Sequence, residues 1–369
     1  MGWIAFSGIG ALALGLALAS GSPARAEDMS PASCARPATE IYAALAPRVV
    51  QVVSIGIDPF RVAGRVLPGS GSGILLSATT VLTNYHVVHD GRLVGVMSDD
   101  WARDATLIGG DPALDVALLE LAEPVPTGAA LRFAPFDGLA VGLIAHVIGY
   151  PLGIGRTMPS GIVSGLDRLT PLNTISWTTR YIQTDAAISA GNSGGALVDA
   201  CGRLVGLVTL RSFDPGAENM GYALPFDTVM PLVEEIRETG HVARPWHGLY
   251  GQMVTPLIGE LIGGFFGPQA GFLVETAEPG SAADRAGIRG GVFPILWGQS
   301  QIILGGDVIL VVEGKPLETL SDALQAVEAL EIGQTVDLAI WRDGEILELS
   351  AEIEERPAQE SDLWFNGLD

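Results

Sequence analysis

Short apolar runs separated by glycine- or proline-rich turns recur from residue 41 to about residue 227 of this chain. Glycine and proline favour turns over long helices, and the 369 residues include 48 glycines and 23 prolines. Runs at this spacing, without helical periodicity, predict an all-β barrel or sandwich long enough for two small barrels. Strands are predicted at residues 49–53, 73–76, 81–83, 116–121, 144–148, 181–183 and 204–208.

A change of periodicity marks the end of this β region. Val229, Leu232, Val233 and Ile236 recur at helical spacing, and Gly240 follows as a C-cap. We therefore predict a helix over residues 228–239 that closes a domain at 41–240, with a short linker at 241–245.

Residues 246–356 have the pattern of a smaller, independent unit. Helices are predicted at 281–287 and 321–330, the second capped by Ser321 and burying Leu324, Val327 and Leu330. A mixed sheet with two helices makes this a small α+β domain, followed by a polar tail at 357–369. Its strands are predicted at residues 271–274, 307–312, 335–342 and 345–353.

The N-terminus carries an apolar run from Trp3 to Ala19, and Ala24-Arg25-Ala26 then fits a small-x-small cleavage rule. We interpret residues 1–26 as a secretory signal peptide and 27–40 as a flexible segment. The alternative is an uncleaved membrane anchor, because no Lys or Arg precedes the run and its length is near the lower limit for spanning. Both interpretations place the folded part outside the cytoplasm.

Cysteine content and net charge argue against some classes of site and partner. Cys34 and Cys201 could pair in an oxidising compartment, or remain two separate thiols. No cysteine–histidine cluster resembles a metal site, and no cofactor is indicated. The formal charge of −22 argues against nucleic acid or anionic membrane surfaces as partners, because both need a basic patch.

One serine is flanked by small residues on both sides, in Gly191-Asn192-Ser193-Gly194-Gly195. Glycines let the backbone turn sharply and let a substrate approach it closely. Such a turn can also aim backbone N–H groups at one point, which is what an oxyanion needs. Ser193 is therefore a candidate nucleophile, provided that a histidine and an aspartate accompany it.

His86 is the candidate general base, because it follows an apolar strand in the first half of the β region. His89 is expected to be exposed, His146 to be a core residue, and His241 and His247 belong to the linker and the last domain. Asp115 heads a wholly apolar strand, where a carboxylate is costly unless it has a partner. The order His86, Asp115, Ser193 is shared with the chymotrypsin arrangement and differs from that of subtilisin.

The segments around these three residues resemble the active-site motifs of the HtrA/Deg serine proteases. They are Thr83-Asn84-Tyr85-His86-Val87-Val88, Leu114-Asp115-Val116-Ala117-Leu118-Leu119 and Gly191-Asn192-Ser193-Gly194-Gly195-Ala196-Leu197. The segments 71–73, 149–153, 161–164 and 221–225 also resemble family landmarks. The last domain is similar to a PDZ domain, through residues 278–283 and 305–309.

The resemblance implies a mainly β fold, with a chymotrypsin-like double β-barrel protease domain followed by a small α+β PDZ domain. His86, Asp115 and Ser193 would form the catalytic triad, and Gly191, Asn192 and Ser193 the oxyanion hole. The resemblance further implies a homotrimer that cleaves misfolded or signalling polypeptides in the bacterial envelope.

Two binding sites follow from the same resemblance. Leu210, Arg211 and Met220 would line the specificity pocket; with no aspartate there, we expect a preference for small or medium aliphatic residues. The turn Trp246-His247-Gly248-Leu249 would bind peptide C-termini. His247 is unusual in that turn, and the stretch from Gly290 to Leu304 is longer than expected. A PDZ domain with a purely structural or regulatory role is the alternative.

Two other functions remain open. One is an envelope chaperone or scaffold whose protease domain is inactive at rest. The other is a membrane-anchored regulatory protease, facing the periplasm, that cuts one partner rather than many.

Overall fold

The computed structural model describes residues 36–57, 66–168, 180–211, 219–254, 258–259, 268, 270–297 and 300–357. The predicted signal peptide lies outside these residues, as do Cys34 and all of the predicted tail except Pro357. In the part of the chain that is described, no helix is both long and apolar enough to cross a membrane. Helix α1, Ala38–Leu45, begins inside the segment that was predicted to be flexible.

The first six strands form a closed antiparallel barrel in the order β1-β2-β3-β6-β5-β4. Val50 and Val52 of β1 point inward with Leu75, Val81 and Leu119, so alternate residues of each strand build its core. The six strands are β1 (Val49–Ile57), β2 (Val66–Leu75), β3 (Thr80–Thr83), β4 (Leu93–Met97), β5 (Ala102–Asp111) and β6 (Val116–Leu121).

A second closed antiparallel barrel follows, in the order β10-β11-β12-β9-β8-β7. The prediction of a double β-barrel is thereby confirmed. Several of its strands were not predicted, because they are short or rich in glycine and lack a continuous apolar run. The strands are β7 (Ile144–Ile148), β8 (Ser160–Arg168), β9 (Tyr181–Thr184), β10 (Ala196–Asp199), β11 (Leu204–Arg211) and β12 (Gly221–Pro225).

Helix α2, Tyr85–Val88, is a single turn after β3, and α3, Phe226–Thr239, closes the domain. Helix α3 begins two residues before its predicted start, and Gly240 ends it in the left-handed region at φ 83°. Helix α3 packs against β5 and β6 of the first barrel and β11 and β12 of the second. Its apolar face therefore joins the core between the two barrels.

The C-terminal unit is a six-stranded antiparallel sheet with two short helices, α4 (Ala282–Arg285) and α5 (Leu320–Glu328). Strand β14 lies at one edge of this sheet. Two-stranded pairs flank it, β13 with β22 and β16 with β17. The strands are β13 (Pro245–Trp246), β14 (Leu249–Met253), β15 (Phe272–Ala277), β16 (Phe293–Trp297), β17 (Ser300–Leu304), β18 (Val308–Val312), β19 (Lys315–Pro316), β20 (Thr335–Arg342), β21 (Glu345–Glu352) and β22 (Glu354–Glu355).

Two expectations for this unit need correction. Thr319, not Ser321, caps α5, through a reciprocal capping box with Asp322. Leu324, Val327 and Leu330 were expected to be buried, but Val327 is 38% exposed and the other two are half-buried, because this face of α5 borders a groove beside β14. The long stretch from Gly290 to Leu304 is accounted for by the hairpin of β16 and β17.

Candidate active site

Asp115 is held in an uncommon backbone conformation beside His86. Its φ of 58° lies in the left-handed region, which costs free energy for a residue other than glycine. Hydrogen bonds compensate for that cost: the backbone N–H of His86 donates to Oδ1 at 2.8 Å, and His86 Nδ1 lies 2.7 Å from Oδ2. Asp115 is thus buried with a partner, as its sequence context indicated.

Two further residues, which the sequence did not single out, hold Asp115 in place, one at its carboxylate and one at its backbone oxygen. Thr209 Oγ1 donates to Asp115 Oδ2 at 3.1 Å. Asn84 Nδ2 donates to the backbone oxygen of Asp115 at 2.6 Å and to Thr209 Oγ1 at 3.2 Å. Asn84 precedes α2, so the turn that carries His86 is tied directly to Asp115.

The protonation of His86 reflects two opposing influences. Burial lowers the pKa of its imidazole, but the attraction of Asp115 and the hydrogen bond to it outweigh burial, so the pKa lies above the usual value. Because Asp115 is bonded to Nδ1, Nε2 is the nitrogen left to exchange a proton with a hydroxyl.

Ser193 lies on the turn between β9 and β10, half-buried. Its Oγ donates to the backbone oxygen of Thr209 at 3.3 Å. Among the described residues, no hydrogen bond joins this hydroxyl to His86. Thr209 therefore contacts both sides of the site, through its side chain to Asp115 and through its carbonyl to Ser193.

The turn before Ser193 presents two unengaged N–H groups. Gly191 has φ 94°, and the N–H of Asn192 donates to the oxygen of Ser189 at 3.0 Å. Within the part of the chain that the structure describes, the N–H groups of Gly191 and Ser193 make no hydrogen bond. Of the three residues expected to form the oxyanion hole, Gly191 and Ser193 thus offer donors, and Asn192 does not.

Ser72, on β2 of the first barrel, holds this turn of the second barrel. Its Oγ donates to Gly191 O at 2.7 Å and accepts from Tyr150 N at 2.8 Å, and its N–H donates to Ser193 O at 2.7 Å. A Cβ on Gly194 would come within 2.1 Å of Ser72 O, and the φ of 83° there also favours glycine. The segment 71–73 was noticed in the sequence only as a landmark, so this role of Ser72 was missed.

The predicted specificity pocket is only partly described. Leu210 and Arg211 end strand β11, where their backbones pair with Tyr222 and Gly221 of β12, and their side chains lie outside the described residues. Met220 is half-buried and packs against the core between the barrels.

The predicted carboxylate-binding turn connects β13 to β14. Gly248 has φ 70°, and its carbonyl accepts from Glu278 N at 2.8 Å. Leu249 N donates to His247 Nδ1 at 3.0 Å, so this N–H, expected to bind a peptide carboxylate, is engaged within the turn. Burial lowers the pKa of His247 to about 4, against the opposing influence of Glu278, so its imidazole is neutral and can accept that hydrogen bond.

A groove of about 430 Å³ lies between β14 and α5, next to this turn. Leu249, Leu324 and Val327 are among its apolar walls. Glu278 lines its end and accepts hydrogen bonds from Trp246 Nε1 at 2.5 Å and from the Tyr250 hydroxyl at 2.6 Å. An apolar groove beside an edge strand can take an added peptide strand.

The linker between the domains contacts the segment that leads to Asp115. Arg244 forms an ion pair with Asp111, whose side chain is buried and also accepts from Ala113 N at 3.0 Å. Gly110 N donates to Gly240 O at 3.2 Å.

In the second barrel, His146 is buried as expected, with its Nδ1 2.7 Å from Ser160 Oγ. Cys201 is buried and disulfide-bonded, whereas Cys34 lies outside the described residues.

Comparison with known proteins agrees with this geometry. Residues 71–207 match the trypsin-like peptidase domain, and residues 265–353 match the PDZ domain. The resemblance to the HtrA/Deg proteases is confirmed. The chain combines a double-barrel trypsin-like peptidase domain with one C-terminal PDZ domain.

Curated relatives and solved structures are similar to this chain over most of its length. The periplasmic serine endoprotease DegP of Escherichia coli K12 is 35% identical over 306 residues, which are 81% of this chain and 60% of DegP. The serine protease Do-like HtrA of Bacillus subtilis is 31% identical, over 79% of this chain and 65% of the relative. The solved HtrA-type protease AlgW with a decapeptide has a TM-score of 0.68 at 28% identity, covering 87% of this chain and 99% of AlgW. This chain therefore spans about 60% of the length of DegP.

Proposed function

We propose that this protein is an HtrA/Deg-like serine endopeptidase that hydrolyses peptide bonds of misfolded or signalling polypeptides. The observation that carries the proposal is the pair of hydrogen bonds from His86 to Asp115, beside a turn with a hydroxyl and two N–H groups that make no hydrogen bond to any described residue. Sequence similarity to serine endoproteases over four-fifths of the chain supports the same activity.

Each residue has a defined part in acyl transfer. The Ser193 hydroxyl attacks the peptide carbonyl while His86 Nε2 takes its proton. Asp115 keeps the imidazole in the required tautomer and stabilises the imidazolium that forms. The N–H groups of Gly191 and Ser193 bind the oxyanion, and the proton then passes from His86 to the leaving amine. Water releases the acyl group from Ser193 by the reverse sequence.

Covalent labelling of the catalytic serine tests this assignment. A fluorophosphonate probe should label the wild-type protein on Ser193, and Ser193→Ala should neither be labelled nor cleave casein. Ser189→Ala is the matched control, because it removes an exposed hydroxyl from the same turn. Casein cleavage by purified Ser193→Ala at the wild-type rate would contradict the assignment.

A resting-inactive chaperone or scaffold is the second candidate. The observation that favours it is the hydrogen bond of Ser193 Oγ to Thr209 O, since that hydroxyl must turn toward His86 before it can react. Failure of the fluorophosphonate to label the wild-type protein, with and without added peptides, would establish this alternative.

The periplasm is the proposed compartment, because relatives such as DegP and DegQ of Escherichia coli are periplasmic. A mature chain beginning at Glu27 would support cleavage of residues 1–26 as a signal peptide. An intact Met1 in the membrane fraction would support the anchored regulatory protease instead.

Polypeptides are the proposed partners of both domains. AlgW has been solved with a tripeptide and with a decapeptide, and the groove beside β14 gives this PDZ domain a place for a peptide. We further propose a homotrimer joined through the protease domains. Sedimentation at a mass of about three chains would support it, and a monomer at all concentrations would contradict it.

A further inference from the structure

His89 is buried directly behind the turn that carries His86. The sequence, with Asp90 next to it, indicated an exposed residue, yet only 4% of the His89 side chain is accessible to solvent. Its ring stacks on Tyr85, with the ring centroids 5.8 Å apart and the planes inclined by 20°. A polar ring in such a position needs hydrogen-bond partners for its nitrogens.

The first ring nitrogen of His89 contacts His86 itself. His89 Nδ1 lies 3.2 Å from His86 O, and among the described residues it is the hydrogen-bond partner of that carbonyl. The neighbouring carbonyls of the turn are bonded elsewhere: Asn84 O to Val87 N, Tyr85 O to His89 N, Val87 O to Ser54 Oγ and Val88 O to Gly91 N. The backbone of His86 therefore depends on the His89 side chain for its one carbonyl contact.

The second ring nitrogen faces a carboxylate. His89 Nε2 lies 3.1 Å from Asp90 Oδ2. Both nitrogens thus face groups that only accept hydrogen bonds. An N–H on Nδ1 can donate to His86 O, so the ring can be the donor that this carbonyl needs.

Few other charges act on this ring. Strands β1 and β2, which pack against α2, contain no charged residue. On β5, Gly110 packs against the Tyr85 ring, and the adjacent Asp111 is neutralised by Arg244. The remaining charged residues of β5 and β6, which are Arg103, Asp104 and Glu120, lie at the opposite end of those strands. Among the described residues, Asp90 is the charged side chain that forms an ion-pair contact with His89.

We propose that His89 is a positioning residue that fixes the catalytic turn by donating a hydrogen bond from its ring Nδ1 to His86 O. This inference builds on the proposed protease function, in which His86 must be held against Asp115 to act as the base. Without that donor, His86 O has no hydrogen-bond partner among the described residues, and the turn that carries the base loosens.

NMR of the full chain, labelled with ¹⁵N in its histidines, tests the contact without any need for activity. The expected result is that His89 Nδ1 carries a proton that is hydrogen-bonded to His86 O. The His86 Hδ1 resonance should broaden in His89→Leu and sharpen again in His89→Gln. Asp90→Asn, an exposed change, is the control and should leave that resonance unchanged. A His89 ring whose Nδ1 carries no proton would overturn the proposal.

Kinetics tests the positioning role. His89→Leu should lower kcat roughly 3- to 30-fold with little change in KM, because it disturbs the base and not substrate binding. His89→Gln should recover most of that loss, since its amide can donate to His86 O. His146→Gln, a buried histidine in the other barrel, is the matched control. A well-folded His89→Leu with wild-type kcat would contradict the proposal. A wild-type protein that no fluorophosphonate labels would instead end the proposed function, and the NMR result would still decide the role of His89.

Discussion

His86 and Asp115 are joined by two hydrogen bonds between their own atoms, whereas Ser193 is positioned by backbone bonds that cross from one barrel to the other. The first pair belongs to the first barrel, and Thr209 of the second barrel adds one hydrogen bond to the carboxylate. The serine turn belongs to the second barrel and is bonded across the contact by Ser72 of the first barrel. We therefore expect catalysis by the His86–Asp115 pair, the acid–base half of the site, to respond to changes in charge. We expect the Ser193 turn, the nucleophile half, to respond to changes at the contact between the barrels.

The largest effect is expected for Asp115→Asn. Loss of the carboxylate removes the tautomer control of His86, and kcat should fall by about four orders of magnitude. Asp115 raises the pKa of His86, and the base must be neutral, so wild-type kcat/KM should rise with pH through a value above the usual 6.5. The residual activity of Asp115→Asn should titrate at lower pH. A pH–rate profile of both proteins checks this, and an unshifted midpoint would contradict it.

A smaller loss is expected for Ser72→Ala, which acts on the nucleophile half from the other barrel. It leaves Gly191 O and Tyr150 N without the hydroxyl that satisfies them, so the turn that offers the oxyanion donors should shift. We expect kcat to fall roughly 10- to 100-fold, with the His86 titration unchanged. Ser160→Ala, which breaks a hydrogen bond to the buried His146, is the control for general destabilisation. An altered pH midpoint in Ser72→Ala would show that the two halves are not separate.

The smallest effect is expected for Thr209→Val, which keeps the carbonyl that contacts Ser193 and removes the hydroxyl that contacts Asp115. With one of three donors lost to the carboxylate, kcat should fall about tenfold and the free energy of unfolding by about 1 kcal/mol. Thr184→Val, another buried threonine of the second barrel with a hydroxyl bonded to the backbone, is the control. Equal kinetic losses in the two variants would show that the contact to Asp115 has no special part in catalysis.

The sequence predicted seven of the twelve barrel strands as runs of apolar residues bounded by turns, and it did not predict β4, β5, β8, β10 or β12. It predicted the three catalytic candidates because each has an unusual local setting: a polar residue at the end of an apolar strand or a serine among glycines. It did not predict the roles of Ser72 or Asn84, since nothing in their local sequence indicates which distant residues they contact. Their roles arise only where distant strands meet.

Two predictions of side-chain exposure were wrong, for physical reasons. His89 was expected to be exposed from its acidic neighbour, but the short α2 turns its ring inward against Tyr85. Val327 follows the helical spacing of a buried face, yet that face borders an open groove. Helical periodicity reports which residues share a face, and it does not report whether the neighbouring element closes over them.

Helix α3 has a consequence for the order in which this protein can become active. Its residues contact strands of both barrels, and they come last in the protease domain. During synthesis, the first barrel can emerge from the ribosome well before Phe226–Thr239 is available to cover both. A chain interrupted before this helix would carry every catalytic residue but would lack the helix that packs against both barrels. Protease activity should therefore appear only when the domain is complete.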